Sequence, residues 1–298
     1  MALRLFYTDH FDFPLTPGHR FPLAKYRMLR ERLEKEPGFD LAPAPEASPA
    51  TVESAHDPSY VRAFIAGALP EPSMRRIGFP WSQGLVRRTF ASVGGTVAAA
   101  RCALEQSIAG CLAGGTHHAF RAEGSGFCVF NDIAVAVRTL LIEGRINRAA
   151  VVDLDVHQGD GTAKIFEDDA SVLTLSVHGQ NNFPFRKQRS VLDFALDDGA
   201  TDDAYLELLA RVLPSVFEFD PNLIVYQAGV DALASDRLGR LALTCAGLRE
   251  RDRLVFEACR TAGTPCVVTL GGGYSEPLEP TVEAHSNTFL LARDLYSK

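Results

Sequence analysis

From about residue 83 the chain alternates between two patterns: short apolar runs, and longer stretches whose apolar positions recur every three or four residues. SIAGCLA (107–113), RAAVVDLDV (148–156), SVLTLSV (171–177), NLIVYQAG (222–229) and PCVVTLGGG (265–273) predict strands. A strand covered on both faces needs no polar alternation. VRRTFASVGGTVAAARCALEQ (86–106), NDIAVAVRTLLIEGR (131–145), DDAYLELLARVLPSVF (202–217) and AGLRERDRLVFEACRTA (246–262) predict helices. LRLFYT (3–8) adds a further strand, and PGFDLAPAPEASPA (37–50) reads as a proline- and alanine-rich loop. There is no internal repeat. The alternation predicts one α/β domain over 1–298, a mostly parallel sheet with helices on both faces.

In open sheets of this kind ligands bind outside the carboxyl ends of the strands. Four strands here end in unusual residues: GGTHHAF (114–120), DLDVHQGD (153–160), QAGVD (227–231) and GGGY (271–274). If the strand continues through 156, Asp155 and His157 stand two apart and share a face. Asp231 can approach them from the next connection. Two carboxylates and an imidazole leave room for water, the open arrangement of a catalytic metal site. Alone, Asp155 and His157 read equally well as a local hydrogen-bonded pair.

His117 and His118 follow a flexible Gly-Gly step and suit general base chemistry near neutral pH. In isolation such a pair is more often a surface feature. Each would need a partner on its second nitrogen, and Asp153 and Asp160 are the candidates, in a pairing the sequence leaves open. Tyr274 follows three glycines, so its hydroxyl can reach the site; the alternative is a packed aromatic at a turn. The glycines lack the spacing of a phosphate loop.

The 298 residues are 46% hydrophobic and carry a formal charge of -7. That balance implies no general affinity for nucleic acid or anionic membranes. The six cysteines, at 102, 111, 128, 245, 259 and 266, form no CxxC pair. They read as reduced core residues of a cytoplasmic protein. MALRLFYTDHFDFP has no long apolar region after a basic start, and no apolar run approaches 18 residues, so neither a signal peptide nor a membrane span is expected. Nothing in the pattern sets an oligomeric state.

GGTHHAF, GFCVFND, DLDVHQGDG, QAGVDALASDRLG and LGGGYSE together resemble the zinc-dependent histone deacetylases, from about residue 80 to the end. HQG, DRLG and GATDDAYL (199–206) are most similar to class IV and its bacterial relatives. The resemblance implies the arginase/deacetylase fold with an eight-stranded sheet. It implies zinc on Asp155, His157 and Asp231, with iron(II) or cobalt as alternatives. His117 and His118 match the catalytic pair, Asp153 and Asp160 stand behind them, and Tyr274 polarises the substrate carbonyl. Gly126, Phe127, Phe183 and Leu238 match the acyl-lysine tunnel. Asp153, Asp155, His157, Ser176 and Val177 match a structural potassium site. Many members also have a loop aspartate that grips the substrate backbone; PEPSMRRIGFPWS (70–82) contains none.

The expected reaction is hydrolysis of an acylated lysine in a protein or peptide, with His118 as base and His117 tuning the electrostatics. Acyl chain length stays open. A small acetylated amine such as an acetylpolyamine is an alternative substrate. A dimanganese ureohydrolase would want a carboxylate where Gly159 stands. A non-catalytic acyl-lysine binding module would be expected to have lost a ligand, a histidine or the tyrosine.

Overall fold

The structure is a computed structural model describing residues 2–297; Met1 and Lys298, the ends of the expected 1–298 unit, lie outside it. Its eight strands are β1 (Leu3–Tyr7), β2 (Phe39–Pro43), β3 (Ile108–Cys111), β4 (Ala149–Asp153), β5 (Val172–Gly179), β6 (Leu192–Leu196), β7 (Leu223–Gln227) and β8 (Cys266–Thr269). They form one sheet in the order β2-β1-β3-β8-β7-β4-β5-β6, and every pairing is parallel. The central strands β3, β8, β7 and β4 are buried at every residue, as their unbroken apolar runs require.

The helices are α1 (Ala24–Leu33), α2 (Pro49–Val52), α3 (Pro58–Ile65), α4 (Glu71–Ile77), α5 (Gln83–Gln106), α6 (Asp132–Ile142), α7 (Asp160–Ile165), α8 (Asp202–Glu218), α9 (Cys245–Ala262) and α10 (Glu279–Tyr296). One contiguous group runs α5–α6–α7 and another α1–α10–α9–α8, covering the two faces of the sheet. Ser82 starts α5 by accepting from the Leu85 amide, and Asn131 caps α6 through the Ala134 amide.

Two expectations fail at the sheet's edges. Phe39–Pro43, inside the expected loop, is strand β2, and Leu192–Leu196, to which the pattern assigns nothing, is β6. Both are outermost and half exposed, so neither carries the apolar run of a central strand. Pro43 is tolerated there because an edge strand leaves one row of amides unpaired. A third correction concerns the site. β4 ends at Asp153, so Asp155 and His157 are not on a strand and strand alternation does not bring them together.

Candidate active site

Every strand points its carboxyl end the same way, and the polar residues cluster beyond that edge. After β4 the chain turns on its own side chains. The Asp153 carboxylate accepts the Asp155 amide (3.2 Å), and Asp155 Oδ1 accepts the His157 amide (3.0 Å). These local bonds compete with strand continuation and bend the segment into the site. Asp155 Oδ2 accepts the Gly272 amide at 2.7 Å, and Asp231 Oδ1 accepts the Val156 amide at 2.9 Å. A Cβ at residue 272 would lie 1.8 Å from Asp231 Oδ2, so only glycine lets this loop close on both carboxylates.

His157 Nδ1 stands 3.0 Å from Asp155 Oδ1 and 3.0 Å from Asp231 Oδ2. One ligand atom from each of the three residues falls within 4.8 Å of the others, and all three are buried. Burial, then repulsion by Asp155, raises Asp231 to about 7. Burial opposes a charge on His157, but its hydrogen bonds to Asp155 and Asp231 lift it to about 10. The group demands positive charge between its carboxylates, and its oxygen and nitrogen donors fit a divalent metal. The carboxylate that a dimanganese ureohydrolase would want at residue 159 does not fit: a Cβ there would lie 2.2 Å from Asp153 Oδ2.

The tandem histidines resolve into two pairs. His117 Nδ1 bonds Asp153 Oδ2 at 2.7 Å, and His118 Nδ1 bonds Asp160 Oδ1 at 2.7 Å. This answers the pairing left open by the sequence. Both Nδ1 atoms therefore carry protons, and the two Nε2 atoms face each other at 3.1 Å. Burial opposes a charged His117, yet Asp153, with Asp155 beyond it, raises its pKa to about 9. Burial and the positive charge of His117 push His118 down to about 4 against the pull of Asp160. Neighbouring imidazoles are thus driven to opposite protonation states.

Gly126, Phe127, Phe183 and Leu238 line one cavity of about 870 Å³ with His118, His157, Asp160 and Tyr274. The Phe183 ring meets His118 edge-on with centroids 4.9 Å apart. Gly126 and Phe127 both adopt positive φ, 55° and 66°, held by amide bonds to the Arg76 and Ile77 carbonyls. A phenylalanine in that region stores strain. Burial and the nearby Asp231 and Asp155 raise the Tyr274 hydroxyl well above its ordinary range, so it stays protonated. Ser176 of β5 is the register partner of Asp153, and Val177 follows it in the strand.

Four supporting residues escaped the sequence reading. Asp132 accepts from the Gly115 and Thr116 amides and from the Thr96 hydroxyl, fixing the loop that carries the histidines. Its signal was ND at a helix start. Asp236 accepts the Leu238, Gly239 and Tyr274 amides, tying the tunnel wall to the tyrosine. Gln158 donates to the Gln188 carbonyl and Asp193 and accepts the Gln188 amide, anchoring the segment that bears Phe183. Lys25 is buried and donates to the carbonyls of Gly271 (3.1 Å) and Gly273 (3.4 Å). Burial lowers it to about 8, against the pull of Asp231 and Asp155. A lone lysine in a helix rich in charge gives no signal for this.

The fold is that of two solved structures. An acetylpolyamine aminohydrolase from Burkholderia pseudomallei superposes with a TM-score of 0.82 over 99% of both chains at 22% identity. The HDA15 HD domain superposes at 0.80 over 97% of this chain and 88% of its own, also at 22% identity. Residues 19–289 match the histone deacetylase domain. The chain belongs to the histone deacetylase family and is an amidohydrolase. It is 46% identical to an uncharacterized protein of Picosynechococcus over 99% of this chain and all of that one. It is 31% identical to Histone deacetylase 6 of Arabidopsis thaliana over 88% of this chain, spanning 59% of that protein's length. Histone deacetylase 2 of the same plant is 37% identical over 61% of this chain and 48% of its own.

Proposed function

We propose that the protein hydrolyses the amide bond of an N-acyl-lysine in a peptide or protein. The observation that carries this reading is the arrangement of one cavity. His157, the His118–Asp160 pair and a protonated Tyr274 line its floor, and the buried Asp155, Asp231 and His117–Asp153 pair stand against His157 and His118 from behind. Asp155, His157 and Asp231 would hold a divalent cation, zinc by family and class IV-like resemblance, with iron(II) and cobalt accepted by the same donors. Such a cation polarises an amide carbonyl and lowers the pKa of a bound water from 15.7 to about 7.

His118, neutral with Nδ1 tied to Asp160, takes the proton from the attacking water on Nε2. His117, with Nδ1 tied to Asp153, stabilises negative charge as it develops and restores a proton toward the leaving amine. The Tyr274 hydroxyl donates to the tetrahedral oxyanion, where a fixed donor contributes most. Water adds to the acyl carbon, the C–N bond breaks, and a carboxylic acid and a free amine leave. Gly126, Phe127, Phe183 and Leu238 would sheathe the lysine stem. Asp153, Asp155, His157, Ser176 and Val177 would hold potassium.

Among the described residues no helix is long and apolar enough to cross a membrane, and all six cysteines are free. Free thiols suit the reducing cytoplasm we propose as its location. The test is a panel of acyl-lysine peptides of graded chain length and acetylpolyamines, assayed with and without chelator, beside metal analysis of the purified protein. Chelator-sensitive release of the carboxylic acid, leaving an unacylated lysine in the peptide, is expected. Absence of turnover on every substrate would sink the reading.

A further inference from the structure

The 70–82 segment, which contains no aspartate, forms α4 and brings Arg75 and Arg76 to the mouth of the cavity. Arg20 comes from the loop before α1, and Arg237 and Arg240 from the loop after β7. Three separate chain segments thus deliver five guanidinium groups to one opening, in a chain with 30 basic and 37 acidic residues. Among the described residues lining this cavity, Glu123 is the carboxylate at the mouth, and Asp160 lies at the floor with His118.

Four of these arginines have carboxylate neighbours: Arg75 with Glu71, Arg76 with Glu123, Arg237 with Glu276 and Arg240 with Asp198. Glu71, Glu276 and Asp198 stand outside the lining, so the surface a substrate meets is cationic. The four arginine side chains are at least half exposed. Exposed pairs of this kind are weak and exchange partners readily. Arg20 has no ion-pair partner among the described residues.

We infer that the substrate is an acyl-lysine flanked by aspartate or glutamate, bound at the mouth by Arg20, Arg75, Arg76, Arg237 and Arg240. A guanidinium presents a fork of donors that matches a carboxylate, so the mouth binds acidic side chains and repels lysine-rich peptides and polyamines. This inference rests on the acyl-lysine reading above.

The test uses the metal-loaded protein and three acetyl-lysine peptides that differ only in flanking residues: aspartate, serine or lysine. At low salt kcat/KM for the aspartate peptide should exceed that for the lysine peptide by about tenfold or more, chiefly through KM. Raising salt from about 0.01 to 1 M cuts the screening length from about 30 to 3 Å and should erase most of the gap. In a variant carrying Arg75→Glu and Arg237→Glu the aspartate-to-lysine ratio should fall to about one or invert, as expected for opposed rim charges. Both peptides meet the same enzyme, so any loss of folded protein cancels in the ratio. Turnover of the peptides with no charge preference, or a ratio untouched by the variant, overturns this inference alone; faster turnover of an acetylpolyamine than of every peptide overturns the acyl-lysine reading with it. Failure of all substrates overturns the amide-hydrolase reading as well.

Discussion

At the floor of the cavity and directly behind it His117, His118, Asp155 and Asp231 are buried, and each is tied to a named partner at 2.7–2.9 Å. At the mouth Arg75, Arg76, Arg237 and Arg240 are at least half exposed and lean on carboxylates that are themselves exposed. A buried polar group stripped of its partner costs about 1–3 kcal/mol, more if charged. An exposed ion pair is worth about 0–1 kcal/mol. The floor therefore tolerates almost no change, whereas the mouth can be rewritten without unfolding the chain. Chemistry is fixed where partners lock each other, and selectivity sits where they do not.

That contrast breaks most visibly at Asp231. Asp231→Ala removes a proposed metal ligand and the acceptor of the Val156 amide. Activity should fall to background, metal retention should be lost, and stability should drop by about 3–5 kcal/mol, as for a broken buried pair. A turnover assay, metal analysis and denaturant titration read the three; a fully loaded, active variant would remove Asp231 from the site. Next come His118→Ala, expected to cut kcat by about 10²–10⁴, and Tyr274→Phe, about 10²–10³. Both should keep their metal. Unchanged kcat in either would strip that residue of its role.

His56 extends the comparison behind the floor. It is buried, accepts the Asn131 amide on Nε2 (2.8 Å), and burial lowers its pKa to about 4. The unfolded chain protonates this group near 6.5, while the folded chain holds it neutral until about 4. Between those values the unfolded state binds more protons, so stability falls as pH drops, by on the order of 3 kcal/mol from this group. Thermal melts from pH 7 to 4 should show a shallower loss in His56→Gln than in the parent; identical slopes would contradict the assignment. The smallest effect belongs to the mouth. Phe185 is 87% exposed at the cavity rim. Phe185→Ser should move stability by no more than about 0.5 kcal/mol. A larger loss would mean that the mouth is locked as the floor is.

The same divide governs what could be read from the sequence. Asp155, His157, Asp231, the tandem histidines and Tyr274 were legible because few residue types can perform metal and proton chemistry, and all of them follow buried strands. The convergence of Asp155 and His157 was legible for the wrong reason. The expected strand stops at Asp153, and side-chain bonds to backbone amides turn the chain instead. Asp132, Gln158 and Lys25 act by holding backbone from distant segments, with sequence separations of 16, 30 and 246 residues in the bonds that matter. No local pattern records such a contact. The central strands were plain in their apolar runs. β2 and β6 were missed because an edge strand, half in water, has no such run.

The sheet order carries one more consequence, for how the protein is made. β8 is the last strand in the chain, yet it lies between β3 and β7. Until it arrives the sheet is two pieces, β2-β1-β3 and β7-β4-β5-β6, each with a bare inner edge open to the wrong neighbour. Chains emerge during synthesis at about 5–20 residues per second, N-terminus first. Both half-sheets must wait for Cys266–Thr269, and the loop that follows at once delivers Gly272 and Tyr274. A chain cut short before Cys266 is thus no partial enzyme but a pair of adhesive edges, a burden for chaperones and proteases. The last of the site residues and the closing of the sheet arrive in the same few residues.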